Sequence, residues 1–265
     1  MPNEATQANS PTGTGSSRCN GAGLLRLDLA HFEYDPYPIG MISQVFEPSL
    51  YEHLVETFPP IEIFRFMQTH GDKWSLSELN HPDHYHRFLR ANDDWRRVYD
   101  QVKSNSFIAQ VLHVLAQSKI ELGLNHGSHT STLRRLRDKL LHRTSHNLKA
   151  RFEFSMMSAA GGHILPHTDS PQKHITLVLS MTRPGEWNPA WGGGTDRMRP
   201  LDPSNNFNFV NRYLGFDQVE TIGTMPYNPN QCVIFIKTFN SLHAVKPMRG
   251  PATAMRRTLT INIES

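Results

Sequence analysis

The stretch Gly161-Gly162-His163-Ile164-Leu165-Pro166-His167-Thr168-Asp169-Ser170 decides how the rest of the chain is read. His167 and Asp169 stand two positions apart, and side chains of an extended segment alternate, so an imidazole and a carboxylate there share one face. Each can give one donor atom to the same metal ion. A third donor from elsewhere would complete a set of two histidines and one carboxylate, which leaves positions on Fe(II) open for a co-substrate and dioxygen. His243, 74 residues beyond Asp169 in Phe239-Asn240-Ser241-Leu242-His243-Ala244-Val245-Lys246-Pro247, is the candidate. With 15 histidines in the chain a His-x-Asp pair arises readily by chance, so its surroundings decide its meaning.

Those surroundings read as strands. Residues 148–157 alternate, 175–181 and 231–238 are rich in β-branched and aromatic residues, and 257–263 alternate again. Turn-rich connections at 183–189, at Gly192-Gly193-Gly194 and at 200–208 separate them. Short strands with Gly and Pro turns predict an antiparallel sandwich or jelly roll. On this reading His167 and Asp169 sit just before a strand and His243 just after one, the arrangement that lets distant ligands meet at one mouth. The final strand carries Arg256, Arg257 and Thr258. An arginine entering a buried strand needs an anion, and its forked donors suit a carboxylate. Arg256 and Thr258 share a face, so that pair is the candidate anchor, with a surface-edge role for both arginines as the plain alternative.

Outward from this core, residues 24–29 alternate and 39–45 look extended, so both are expected as strands. Pro48 opens a helix that runs to about residue 58, where Pro59-Pro60 ends it. Residues 61–92 hold Gly71, Pro82 and many histidines and give no clear period. Asp93-Asp94 predicts the start of a long helix to about residue 122, with Val98, Val102, Phe107, Val111, Val114 and Leu115 near helical spacing. A short basic amphipathic helix is expected at 133–142. Its Arg134, Arg135, Arg137 and Lys139 read as a solvated face over leucines rather than as a phosphate site. Residues 1–20 lack large apolar groups and are expected to stay outside the fold.

Composition excludes several classes. A formal charge of +3 with scattered basic residues gives no footprint for nucleic acid. No apolar run approaches the ~20 residues that span a bilayer, so no membrane partner is expected. Two cysteines, Cys19 and Cys232, make no disulfide framework, which points to a reducing cytoplasm, a compartment that suits a ferrous site.

His167-x-Asp169, the distant His243, and Arg256-x-Thr258 set 13 residues after it resemble the Fe(II)/2-oxoglutarate-dependent oxygenases, in particular the prolyl-hydroxylase-like branch. Leu165-Pro166-His167-Thr168-Asp169 is similar to that branch's approach to the iron. Trp191-Gly192-Gly193-Gly194-Thr195 is similar to its Gly-Gly turn, and His243-Ala244-Val245-Lys246-Pro247 to its His-x-Val-x-Pro segment. The resemblance covers about residues 24–265. It implies a mainly β fold with flanking α-helices around a double-stranded β-helix (a cupin-like jelly roll). It also implies one domain over 23–265, with residues 1–22 as a disordered tail. Within that domain 23–147 would supply strands and buttressing helices, and 148–265 the jelly-roll core with the iron site.

The resemblance further implies that His167, Asp169 and His243 hold Fe(II) and are the catalytic set. Arg256 and Thr258 would bind 2-oxoglutarate, Arg257 being the alternative anchor, and ascorbate is an optional reductant. The implied reaction is hydroxylation of a small-molecule, amino-acid-like, sugar or peptidyl substrate with O2, releasing succinate and CO2. A carboxylate at Asp169 favours hydroxylation, because a halide would need that coordination position. Two rivals stay open, a non-catalytic cupin-like binding module and a zinc-dependent hydrolase, and neither explains Arg256-x-Thr258 equally well. Trp187, Asn188 and Trp191 flank the implied mouth and are expected either to touch substrate or to pack the long polar stretch 183–230, which reads as a candidate substrate lid.

Overall fold

A computed structural model describes residues 23–68, 71–122 and 148–265. The expected tail at 1–20 with Cys19, and the expected helix at 133–142, lie outside the described residues. The N-terminal third supplies strands β1 (His31–Glu33), β2 (Ile39–Ile42), β3 (Arg65–Met67) and β4 (Lys73–Ser77). It also supplies helices α1 (Pro48–Glu56), α2 (Pro82–Ala91), α3 (Asp93–Val102) and α4 (Asn105–Gln117). Apart from three 3-10 turns (Pro189–Trp191, Pro203–Asn206 and Phe216–Gln218), the described remainder is built of strands: β5 (Lys149–Ser158), β6 (Ile164–His167), β7 (Lys173–Ser180) and β8 (Thr195–Pro200) come first. β9 (Val219–Met225), β10 (Cys232–Ile236), β11 (His243–Val245) and β12 (Met255–Glu264) follow.

Among the described residues these strands form an eight-stranded sheet, β1-β2-β10-β7-β12-β5-β4-β3, and a four-stranded sheet, β6-β11-β8-β9. Every pairing within them is antiparallel. From β5 onward the chain crosses repeatedly between the sheets: β5, β7, β10 and β12 lie in the larger, β6, β8, β9 and β11 in the smaller. That winding is a double-stranded β-helix, as the sequence predicts. β1 to β4 extend the larger sheet at both edges.

The larger sheet has one face for the helices and one for the cavity, and alternation along each strand writes both. On β5 the even positions Phe152, Phe154 and Met156 are buried against the helices, and on β12 the odd positions Leu259, Ile261 and Ile263 join them. Phe154 packs edge-on to Trp95 of α3 at 4.8 Å between ring centroids and to Phe88 of α2 at 5.5 Å. The helices present matching stripes: Tyr85 and Leu89 on α2, and Trp95, Val98 and Val102 on α3. Prolines at the first turns of α1 and α2 suit positions whose N–H has no helical partner. The opposite face carries Arg151, Glu153, Ser155 and Met157 of β5 beside Arg256, Thr258, Thr260 and Asn262 of β12.

Three expectations need correction, and one unassigned stretch is filled. Residues 24–29 do not form a strand. Leu27–Leu29 make a single 3-10 turn that buries Leu25 and Leu27 under α4, and three leucines at nearly alternate positions imitate a strand pattern. The long helix over 93–122 is two helices, α3 and α4, because Ser104 leaves helical geometry and its hydroxyl accepts from Phe107 N as an N-cap. Residues 61–92, which lack a single period, hold the β3–β4 hairpin and α2. The stretch 183–230 is not simply a lid, since it contains β8 and β9, half of the smaller sheet.

Candidate metal and ligand site

The smaller sheet brings the two histidines together. β6 and β11 pair with His167 opposite His243, and the rings lie 4.4 Å apart between centroids. His167 is the last residue of β6 and His243 the first of β11, so both belong to strands rather than flanking them. Asp169 follows β6 with φ 67°, in the left-handed region that Asp tolerates better than most residues. Its carboxylate therefore reaches the histidines through a turn, not by strand alternation. Asp169 Oδ1 stands 3.8 Å from His167 Nε2, and Oδ2 stands 3.8 Å from His243 Nε2.

Each imidazole is oriented by its other nitrogen. His167 Nδ1 is 2.9 Å from Leu165 O, and His243 Nδ1 is 3.0 Å from Ser241 O. A carbonyl accepts only, so each Nδ1 carries the proton and each Nε2 turns a lone pair toward Asp169. Burial holds both rings neutral, with His167 lowered to about 3 and His243 also below its ordinary value. Tyr213 stacks on His167 at 5.3 Å and Phe235 on His243 at 4.2 Å. The three donor atoms lie within 4.8 Å of one another, and among the described residues no other group of three or more His, Cys, Asp or Glu side chains meets the same condition. Neutral nitrogens and one anionic oxygen are a donor set that fits a divalent first-row metal.

The Asp169 carboxylate is held on both sides. Lys173 Nζ donates to Oδ1 at 2.8 Å and Thr176 Oγ1 to Oδ2 at 3.2 Å. Burial alone would raise this carboxyl, but the Lys173 ammonium overrides it and keeps the group ionised. Lys237 Nζ donates to the Asp169 carbonyl at 2.8 Å and to Thr168 Oγ1 at 2.9 Å, which pins the left-handed turn.

The triad opens into a cavity of about 130 Å³ between the sheets. Arg256 lines the same cavity. It is 4% exposed, its Nε donates to Gly193 O at 2.7 Å, and its guanidinium lies 4.9 Å over the Tyr227 ring. Among the described residues no carboxylate lies within ion-pair distance of it, and burial lowers its pKa. A buried guanidinium without an acid is costly, and a carboxylate in the cavity would offset that cost. Thr258 also lines the cavity, its hydroxyl 2.8 Å from that of Ser155. Arg257 points the other way and pairs with Glu186.

Trp187, Asn188 and Trp191 do not line the cavity. Trp187 packs edge-on against Trp191 and Tyr227 and donates to Gly192 O, while Asn188 caps the 3-10 turn Pro189–Trp191. Sequence reasoning missed Lys73, Ser155, Lys173, Thr176 and Lys237. Thr176 and Ser155 sit on strands already recognised, at positions whose alternation points them inward. Lys73 lay in a stretch with no readable period.

No protein-family profile matches the chain, and no curated protein matches it. Among solved structures it is similar to a prolyl-4-hydroxylase from Pseudomonas putida, at 14% identity and TM-score 0.45 over 85% of this chain and 91% of that one. It is similar to a prolyl hydroxylase from Trichoplax adhaerens in complex with a hypoxia-inducible-factor peptide, at 11% identity and TM-score 0.48 over 85% and 83%. HygX from Streptomyces hygroscopicus, solved with nickel and 2-oxoglutarate bound, aligns at 9% identity and TM-score 0.47 over 85% and 82%. Identities this low say nothing of substrate, and the strand order itself defines the fold.

Proposed function

We propose that the chain is an Fe(II)- and 2-oxoglutarate-dependent dioxygenase that hydroxylates a small-molecule or amino-acid-like substrate. The observation that carries this reading is the meeting, in one cavity, of a His-Asp-His donor set and a buried arginine with no acid partner among the described residues. A zinc hydrolase would have no use for the arginine, and a plain binding module would have no use for three converging donors. His167, Asp169 and His243 would hold the metal. Arg256 would pair with the far carboxylate of 2-oxoglutarate, with the Thr258 hydroxyl, held by Ser155, as a further donor.

Fe(II) with 2-oxoglutarate supplies oxidative decarboxylation of the 2-oxo acid by O2, giving succinate and CO2, and oxidation of a substrate C–H bond. The chain's own part is orientation and exclusion of water. Leu165 and Ser241 carbonyls hold the imidazoles in one tautomer, Lys173 and Thr176 hold the carboxylate, and Phe235, Val178, Met157 and Val245 wall the cavity.

The test is the visible absorption of the anaerobic protein as Fe(II) and then 2-oxoglutarate are added. A charge-transfer band is expected only with both, absent in Asp169→Ala and weakened in Arg256→Ala. A folded, metal-binding protein with no such band would sink the oxygenase reading.

A further inference from the structure

We propose that the Lys73–Lys173 side of the cavity binds an anionic group of the substrate, a carboxylate or phosphate carried by a small molecule. This rests on the oxygenase reading above and concerns what that site takes.

The argument is one of charge. Lys73, Lys173 and Arg256 line the cavity as cations, and Asp169 is the acid among its lining residues. Glu153 lies beneath, its Oε1 3.0 Å from Lys73 Nζ. Arg151, two positions along the same face of β5, adds a further cation near Glu153, and its buried Nε has no hydrogen-bond partner. With a metal bound, the charge of Asp169 and the 2-oxo acid end of 2-oxoglutarate match the ion, and the far carboxylate matches Arg256. Lys73, Arg151 and Lys173 then act together on Glu153, three cations around one carboxylate, while Lys173 keeps its bond to Asp169. Lys237 adds to the same sign, since both of its hydrogen bonds go to uncharged oxygens.

Position supports a substrate rather than a second co-substrate anchor. Lys73 and Arg256 flank Met157 from opposite sides of β5, and the Lys73 side chain turns away along the strand, its Nζ reaching Glu153 four residues on. Lys173 Nζ lies 2.8 Å from Asp169 Oδ1, beside the metal ligand, where a substrate must come to be oxidised. Side chains of Lys73 and Lys173 are 32% and 23% exposed, so both ammonium groups remain reachable. If Lys173 only orients Asp169 and Lys73 only satisfies Glu153, removing them would alter metal affinity or stability but not anion binding.

The experiment loads the protein with redox-inert Ni(II) and saturating 2-oxoglutarate and titrates inorganic phosphate by calorimetry, with chloride as the ionic-strength control. Saturable binding in the millimolar range is expected, weakened about tenfold in Lys73→Met and in Lys173→Met and largely kept in Lys73→Arg, the loss matching one charge-assisted hydrogen bond. No saturable binding up to roughly 50 mM would overturn the proposal on that same millimolar scale. So would wild-type binding in both methionine variants, displacement of 2-oxoglutarate by phosphate, or a Lys73→Met protein that loses 2-oxoglutarate instead. Failure of the wild-type protein to take up metal and 2-oxoglutarate at all would refute the oxygenase reading, a result distinguishable from these.

Discussion

Arg256 is where stability and binding pull against each other. Its guanidinium is buried with a carbonyl and an aromatic face for company and, among the described residues, no acid. Arg256→Met is therefore expected to raise the stability of the ligand-free protein by about 1 kcal/mol, because an uncompensated charge leaves the interior. The same variant should lose the stabilisation that 2-oxoglutarate gives, which for wild type is about 2.7 kcal/mol at a hundredfold excess over Kd. Thermal melts with and without metal and 2-oxoglutarate read both effects, and a destabilised variant that still responds would contradict the assigned role. The histidines make a second prediction. Burial puts the folded-state pKa of His167 at about 3 and that of His243 below its ordinary value. Below pH ~6.5 the unfolded chain binds protons that the folded, metal-free protein refuses. Stability of the metal-free form should thus be flat above about pH 7 and fall by up to ~1.4 kcal/mol per pH unit per histidine as pH drops from ~6.5. A melting temperature unchanged between pH 7 and pH 5 would mean that these imidazoles are not buried neutral.

At the scale of elements, legibility followed periodicity. β5, β7, β10 and β12 were readable because a strand of a two-layer fold writes its two faces into alternating positions. His167, Asp169, His243 and Arg256 stood out by residue type and spacing, although β6 and β11, which carry the two histidines, were not read as strands. The boundary between α3 and α4 was not, since both bury the same side and only Ser104 marks the break. Ser104→Ala removes the hydroxyl that caps Phe107 N and should cost about 1 kcal/mol in denaturant unfolding. An unchanged midpoint would show that the cap is redundant with the packing of Phe107 and Ile108. The turn that presents Asp169 was also illegible, because φ 67° at a non-glycine residue is imposed by Lys237 from 68 positions away. Gly193 shows the same limit from the other side. Its φ of 84° and the approach of Trp187 and Met248 leave no room for a side chain, so Gly193→Ala should shift the turn whose carbonyl accepts from Arg256 Nε and weaken 2-oxoglutarate binding. A titration of the absorption band measures that directly.

For the whole molecule, the division of labour is between the sheets. The larger sheet rests on the helices through an aromatic cluster around Phe154 and offers its polar face, with Arg256, to the cavity. The smaller sheet carries all three candidate metal ligands on or just after β6 and β11. No helix among the described residues is long and apolar enough to cross a membrane. The pairing of His167 with His243 joins positions 76 residues apart in the chain. An ion held between them works as a removable cross-link across that loop, and closing a long loop is where a clip gains most. Metal uptake should therefore act on local opening: amide hydrogen exchange should slow in β6 and β11 and hardly change in β5 and β12, whose exchange already reports global unfolding. The metal would then set which half of the molecule breathes.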